Sequence, residues 1–132
     1  MGHREERAYP RRNLEFNVEY SVLSGFGDIK LIGARTLDFS LSGTKIETRD
    51  MLKSNDQLSV RIELPDLDVY ETDQEGKKKY GKTVMMCFGR GRWVGEVEGG
   101  GYNAGIWFSG LGVNERAYIK KLLDEDFLEV KR

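Results

Sequence analysis

At 132 residues the chain has room for one domain with a real core, but not for two. Hydrophobic content of 39% beside 33% charged residues marks an ordinary soluble globular protein, and a net charge of −1 gives no global basic field to attract nucleic acid or an anionic membrane. Any anion site must therefore be local, the single cysteine excludes an intrachain disulfide framework, and no apolar run approaches the ~20 residues that span a bilayer.

The first segment, MGHREER, is charged and lacks the apolar core of a signal peptide, so the cytoplasm is the expected compartment. One cysteine fits the same reducing setting. Arg7, Arg11 and Arg12 then crowd around Tyr9-Pro10. Proline removes a backbone donor and biases Tyr9 toward extended geometry, so the stretch is an extended arm rather than a helix. Residues 1–12 are expected to form a flexible arm and residues 13–132 the folded body.

From Leu14 to Val22 apolar and polar residues alternate without a break, the period of a half-buried strand. Ser24–Asp28 is a turn. Lys30–Leu37 and Thr44–Thr48 read as strands flanking Asp38–Gly43. Leu58, Val60, Ile62 and Leu64 alternate with Ser59, Arg61 and Glu63 in another strand that ends at Pro65. Residues 66–82 are polar and are expected to form an exposed hairpin or loop. Thr83–Phe88, Gly91–Glu98 and Tyr102–Phe108 read as three short strands separated by glycines. Cys87, among Met85, Met86 and Phe88, is a core thiol. Only the end changes period. After Asn114 as N-cap, Tyr118, Ile119, Leu122, Leu123 and Phe127 share one face of a helix over about 114–128. The outline is mainly β: six or seven short antiparallel strands in a closed barrel, then one C-terminal helix.

Catalysis finds little support. The one histidine is His3, so neither a Ser-His-acid triad nor a histidine metal site can be assembled. Asp66, Asp68, Glu71 and Asp73 sit together in a polar loop, where solvation is the simpler reading. The run GRGRWVGEVEGGG lacks the strand-turn-helix setting of a phosphate-cradling loop. No enzyme, no metal and no cofactor are expected.

Two segments suit a ligand. Guanidinium groups bind phosphate through paired donors and fork onto O6 and N7 of guanine, which Arg7 and Arg11 could do from an extended arm. Asp38-Phe39-Ser40-Leu41-Ser42-Gly43 supplies a carboxylate able to accept from the N1–H and N2–H2 edge of guanine, and hydroxyls for base or phosphate. Gly43 would allow a ligand to come close. The same residues also suit a plain turn, with Gly43 providing a positive φ.

The order RxxxR (Arg7, Arg11) followed by DxSxxG (Asp38, Ser40, Gly43), with the alternating strand between, resembles the PilZ domain family. The resemblance continues to Gly105-Ile106-Trp107-Phe108 and the C-terminal amphipathic helix, covering about residues 5–128. It implies a six-stranded antiparallel barrel and a bacterial receptor for cyclic di-GMP. By motif position, Arg7 and Arg11 would contact phosphate and the Hoogsteen edge of guanine. Asp38 and Ser40 would bind guanine edges, and Gly43 would shape the turn. Arg12, one past the motif, either points to ligand or begins the strand. Glu6 stands where members that hold two stacked ligands carry another arginine, so one ligand per domain is expected. Binding would order the arm and create a surface for a downstream protein partner, with the receptor itself monomeric or dimeric. Two rivals remain: a PilZ-like adaptor without nucleotide, and an OB-like barrel binding single-stranded nucleic acid through Trp93, Tyr102 and Trp107. The second is weakened by the acidic balance and by Trp107 falling on a core-bearing strand.

Overall fold

The alternation near the start of the chain becomes strand β1 (Asn17–Val22), with Val18 and Tyr20 buried and Asn17 and Glu19 exposed. The computed structural model describes residues 12–23, 30–50 and 52–124. β1 pairs antiparallel with β2 (Ile32–Phe39) on one side and β4 (Gln57–Thr72) on the other. β2 continues to β3 (Gly43–Thr48), β3 to β6 (Tyr102–Phe108), and β6 to β5 (Lys78–Glu96), which pairs back onto β4. The order β1-β2-β3-β6-β5-β4 closes the sheet into a barrel, followed by helix α1 (Val113–Asp124). Closure pairs each strand with a neighbour on both sides within the barrel, and only the outer β4–β5 hairpin extends beyond it. The fold is the expected one: mainly β, six antiparallel strands and a C-terminal helix.

Tyr20, Phe39, Ile46, Leu58, Val60 and Ile62 fill the interior with no solvent exposure. Ile119 and Leu122 of α1 are equally buried and join the same cluster, so the helix buries its apolar stripe on the barrel. Polar contacts fix its seat beside β4: the Tyr118 hydroxyl donates to the Pro65 carbonyl, and Lys121 Nζ lies 3.4 Å from Asp68 Oδ1. Interior polar groups find partners. The Tyr20 and Thr48 hydroxyls meet at 2.9 Å, inside the barrel wall.

Several elements differ from the sequence reading, each for a local reason. Leu14 and Phe16 are buried as the alternation requires, but the ladder starts only at Asn17. Ahead of it the Thr36 hydroxyl stands in for a strand: it accepts from Phe16 N at 2.7 Å and donates to the Leu14 carbonyl at 2.7 Å. Residues 66–82 take the first of the two expected forms, a hairpin, with a register shift between Asp66 and Tyr70. The ladder runs out to Thr72↔Lys78, and the Asp73 carboxylate accepts from Glu75 N and Lys77 N at the tip. Thr83–Phe88 and Gly91–Glu98 are one strand, because Gly89 and Gly91 are places of close approach instead of turns. A Cβ on Gly89 would lie 2.8 Å from Ile106 Cγ2, and one on Gly91 2.9 Å from the Lys53 carbonyl oxygen. The helix begins one residue earlier than expected: Gly112 O accepts from Arg116 N, which puts Asn114 inside the first turn. The Ser24–Asp28 turn and Phe127 lie outside the described residues.

Candidate functional site

A β-bulge aims Asp38. In the β2–β3 ladder Thr36 opposes Ile46 and Asp38 opposes Lys45, so Leu37 is an extra residue. The inserted residue breaks the two-residue period. Thr36 and Phe39 both face the core while Asp38 sits at the outer surface, half-buried. One carboxylate oxygen, Oδ1, accepts from Lys45 N at 3.0 Å, and the Asp38 carbonyl accepts from the Thr44 hydroxyl at 2.6 Å. Phe39 anchors the strand end from inside, with ring centroids 5.7 Å from Phe16 and 5.6 Å from Phe108.

Ser40 and Gly43 are more structural than the motif alone conveys. Ser40 is fully buried, its Oγ accepting from Ser42 N at 3.2 Å and lying 3.0 Å from Ser42 Oγ. Its amide donates to the Gly43 carbonyl at 2.9 Å, closing the turn between β2 and β3. Gly43 does not have a positive φ. Glycine is required there because a Cβ would fall 2.1 Å from the Ile106 carbonyl oxygen of β6. The turn is thus pinned against β6 by the absence of a side chain.

Arg12 belongs to the folded body. Its N–H donates to the Phe39 carbonyl at 3.0 Å and its carbonyl accepts from Phe39 N at 2.9 Å. Its guanidinium donates to the Leu123 carbonyl at 2.7 Å. Of the six candidate residues, Arg12, Asp38, Ser40 and Gly43 therefore gather around one strand end. Arg7 and Arg11 lie outside the described residues.

Four strands contribute to the surface beside that turn. Asp38, Lys45, Gly105 and Trp93 oppose one another in consecutive ladders, forming a single row across β2, β3, β6 and β5. Along this row runs an open groove of about 380 Å³, also lined by Ser42, Gly43 and Trp107, with Arg92 at its β5 side. Its floor is glycine at two points. The Trp93 indole lies across Gly105, where a Cβ would be 2.4 Å from Nε1. A second bulge produces this. Gly91 opposes Ile106 and Trp93 opposes Gly105, so Arg92 is the extra residue, and Arg92 and Trp93 are both exposed. Gly91 fixes the bulge by exchanging hydrogen bonds with the loop before β4, from Asn55 N at 2.7 Å and to Asp56 O at 2.9 Å. The Arg92 guanidinium stands over the Trp107 ring, 5.7 Å from its centroid.

Lys45, Arg92, Trp93 and Trp107 were not assigned to this site from the sequence. Trp107 does fall on a core-bearing strand, as expected, but it is 45% exposed and outward-facing on β6. Period-two alternation with the buried Ile106 and Phe108 does not by itself say which set faces inward; the GRGRW run is the one signal for the bulge.

A larger open concavity of about 880 Å³ lies at the opposite end of β2 and β3, beside Gly99–Gly101. Its charges are mostly matched, Lys30 with Asp50 at 3.3 Å and Arg35 with Glu47 at 2.8 Å. Among the described residues no group of His, Cys, Asp or Glu could hold a metal ion. Cys87 faces the core, and burial, with a smaller contribution from Glu115, pushes its thiol up to about 12.

Comparison with known proteins places these features in context. The family model described as PilZ domain matches residues 5–125. Among solved structures, the chain is similar to the Bacillus subtilis inhibitor of motility MotI/DgrA, with a TM-score of 0.71, 13% identity and 96% of this chain covered. The match takes in 53% of that protein, so this chain spans about half its length. It is also similar to the PilZ domain of Escherichia coli YcgR, solved with c-di-GMP, with a TM-score of 0.58 and 11% identity, covering 88% of this chain and 87% of that one. No curated protein matches the chain by sequence.

Proposed function

Because the chain belongs to the PilZ domain family, we propose that it is a receptor for cyclic di-GMP, acting through a protein partner rather than through catalysis. The observation that carries this reading is the seat of Arg12. Its backbone pairs with Phe39, between Asp38 and Ser40, so the arginine-bearing segment enters the barrel at the DxSxxG turn. Arg11 is the next residue along the chain, and Arg7 lies four residues before it.

The chemistry of the groove fits a guanine nucleotide. The Asp38 carboxylate, whose Oδ1 accepts from Lys45 N, would accept from the N1–H and N2–H2 edge of guanine. Arg7 and Arg11 would supply charge-assisted bonds to phosphate and a fork onto O6 and N7. Ser40 acts by holding the turn in shape, and Gly43 by letting β6 pass close beneath it. Arg12 is the hinge post of the arm rather than a ligand contact. One ligand per domain is the expected stoichiometry, since Glu6 precedes Arg7 and would repel the phosphates of a second molecule. Ligand would tie the arm to the groove and present a new surface to a partner, an order–disorder step of a kind common in switches. A cytoplasmic location fits a receptor of this ligand.

Calorimetric titration with cyclic di-GMP tests the reading. Arg7→Ala and Arg11→Ala are each expected to weaken binding by about 1.5–3 kcal/mol, the range for a hydrogen bond to a charged group. Unchanged affinity in both variants would remove the arm from the site. Absence of any binding by the unaltered chain would leave the adaptor reading, which the likeness to a motility inhibitor favours next.

A further inference from the structure

The motif residues account for one base and the phosphates, yet the groove is longer than that. Its row spans three interstrand gaps from Asp38 to Trp93, roughly 14 Å at the usual strand spacing. The far wall is made of groups the motifs do not include. Trp107 is 45% exposed and Trp93 47%, and the Arg92 guanidinium lies 5.7 Å over the Trp107 ring. Among the described residues Arg92 has no carboxylate partner; its side chain is turned to the indole alone.

We propose that Arg92 and Trp107 form a second purine platform, which takes the guanine that Asp38 does not. The proposal rests on the cyclic di-GMP reading and deepens it. Three observations point the same way. First, the bulge at Arg92 adds a residue to β5 so that Arg92 and Trp93 are exposed together, and bulges beside binding sites commonly re-aim a side chain in this way. Second, that geometry is locked, since Gly91 is tied on both sides to the loop before β4. Third, a guanidinium standing over an indole presents a cationic surface that attracts the π-face of a base. Such stacking tolerates any base, so the choice of guanine rests with Asp38 and the arm.

The chain has two tryptophans, so Trp93→Phe leaves Trp107 as the sole indole emitter. Titrating that full-length variant with cyclic di-GMP is expected to change Trp107 emission saturably, with the midpoint given by calorimetry on the same protein. Arg92→Ala and Trp107→Leu, checked for native circular dichroism, are each expected to bind roughly tenfold more weakly, the size of one lost base stack. Calorimetric binding with Trp107 emission unchanged overturns the platform and leaves the receptor reading standing, and so does unaltered affinity in Arg92→Ala. No heat with cyclic di-GMP in the unaltered chain overturns both.

Discussion

Arg12 and Leu123, 111 residues apart in the chain, are joined by a 2.7 Å hydrogen bond from the guanidinium to the main-chain carbonyl. The last carbonyls of a helix have no partner within it and carry partial negative charge, so a guanidinium there both caps and complements the terminus. The same residue pairs its backbone with Phe39. The strand end that carries Asp38 and the end of α1 are therefore held by one residue, the first through its backbone and the second through its side chain.

Removing that link should be measurable. Arg12→Ala is expected to lower unfolding free energy by about 1.5–3 kcal/mol, the usual worth of a charge-assisted bond. It should also speed amide exchange in the last turn of α1. Urea denaturation and hydrogen exchange check the two effects, and an unshifted midpoint with unchanged exchange would dismiss the cap.

Gly43 offers a sharper steric test. Gly43→Ala would push a methyl to 2.1 Å from a backbone oxygen of β6, which cannot rotate away. A loss of about 3 kcal/mol or more is expected, in line with other over-packed interior sites. Gly95→Ala is the control: nothing lies within 4 Å of its Cβ position. Its denaturation midpoint should stay close to that of the parent.

Asp38 separates folding from binding. Asp38→Asn keeps an oxygen for Lys45 N, so stability should change by less than about 1 kcal/mol. The amide cannot accept at both positions, and its N–H groups oppose the donors of guanine. Cyclic di-GMP affinity is expected to fall roughly tenfold or more, which calorimetry beside a denaturation curve would show.

Alkaline pH should unfold this barrel earlier than its composition suggests. Burial raises the Cys87 thiol from 9.0 to about 12, and burial likewise raises Tyr20 and Tyr118 above 10.0. Between pH 9 and 12 the unfolded chain loses these protons first, so it binds fewer protons than the native state and stability falls as pH rises. Denaturation midpoints should drop above pH 9. Cys87→Ala should flatten the first part of that decline. Cys87 should also resist alkylation at pH 8 until the protein unfolds.

The barrel was legible because its strands bury one face. Val18 and Tyr20, or Leu58, Val60 and Ile62, announce themselves through period-two alternation. The outer hairpin was legible only as a hairpin or loop, since Val69, Tyr70 and Lys79 meet water on both sides and no buried face imposes a pattern. Gly89 and Gly91 looked like turn residues; they are glycine because Ile106 and the loop at Lys53 crowd them, a contact between distant segments that local sequence does not encode. In the site, DFSLSG was visible as a motif. The aromatic wall was hidden, because Trp107 reads identically whichever face of β6 points inward.

The two bulges carry a consequence for how this protein tolerates change. Each adds one residue, and a strand has only two sides, so each works as a parity switch. Loss of Leu37 would remove the first bulge yet leave Thr36 opposite Ile46 and Asp38 opposite Lys45, and loss of Arg92 would likewise leave Gly91 opposite Ile106 and Trp93 opposite Gly105. Deletions at the two bulges therefore keep each face, whereas a single-residue deletion elsewhere in β2 or β5 would invert one. The groove is thus written in the spacing of the chain as much as in its letters.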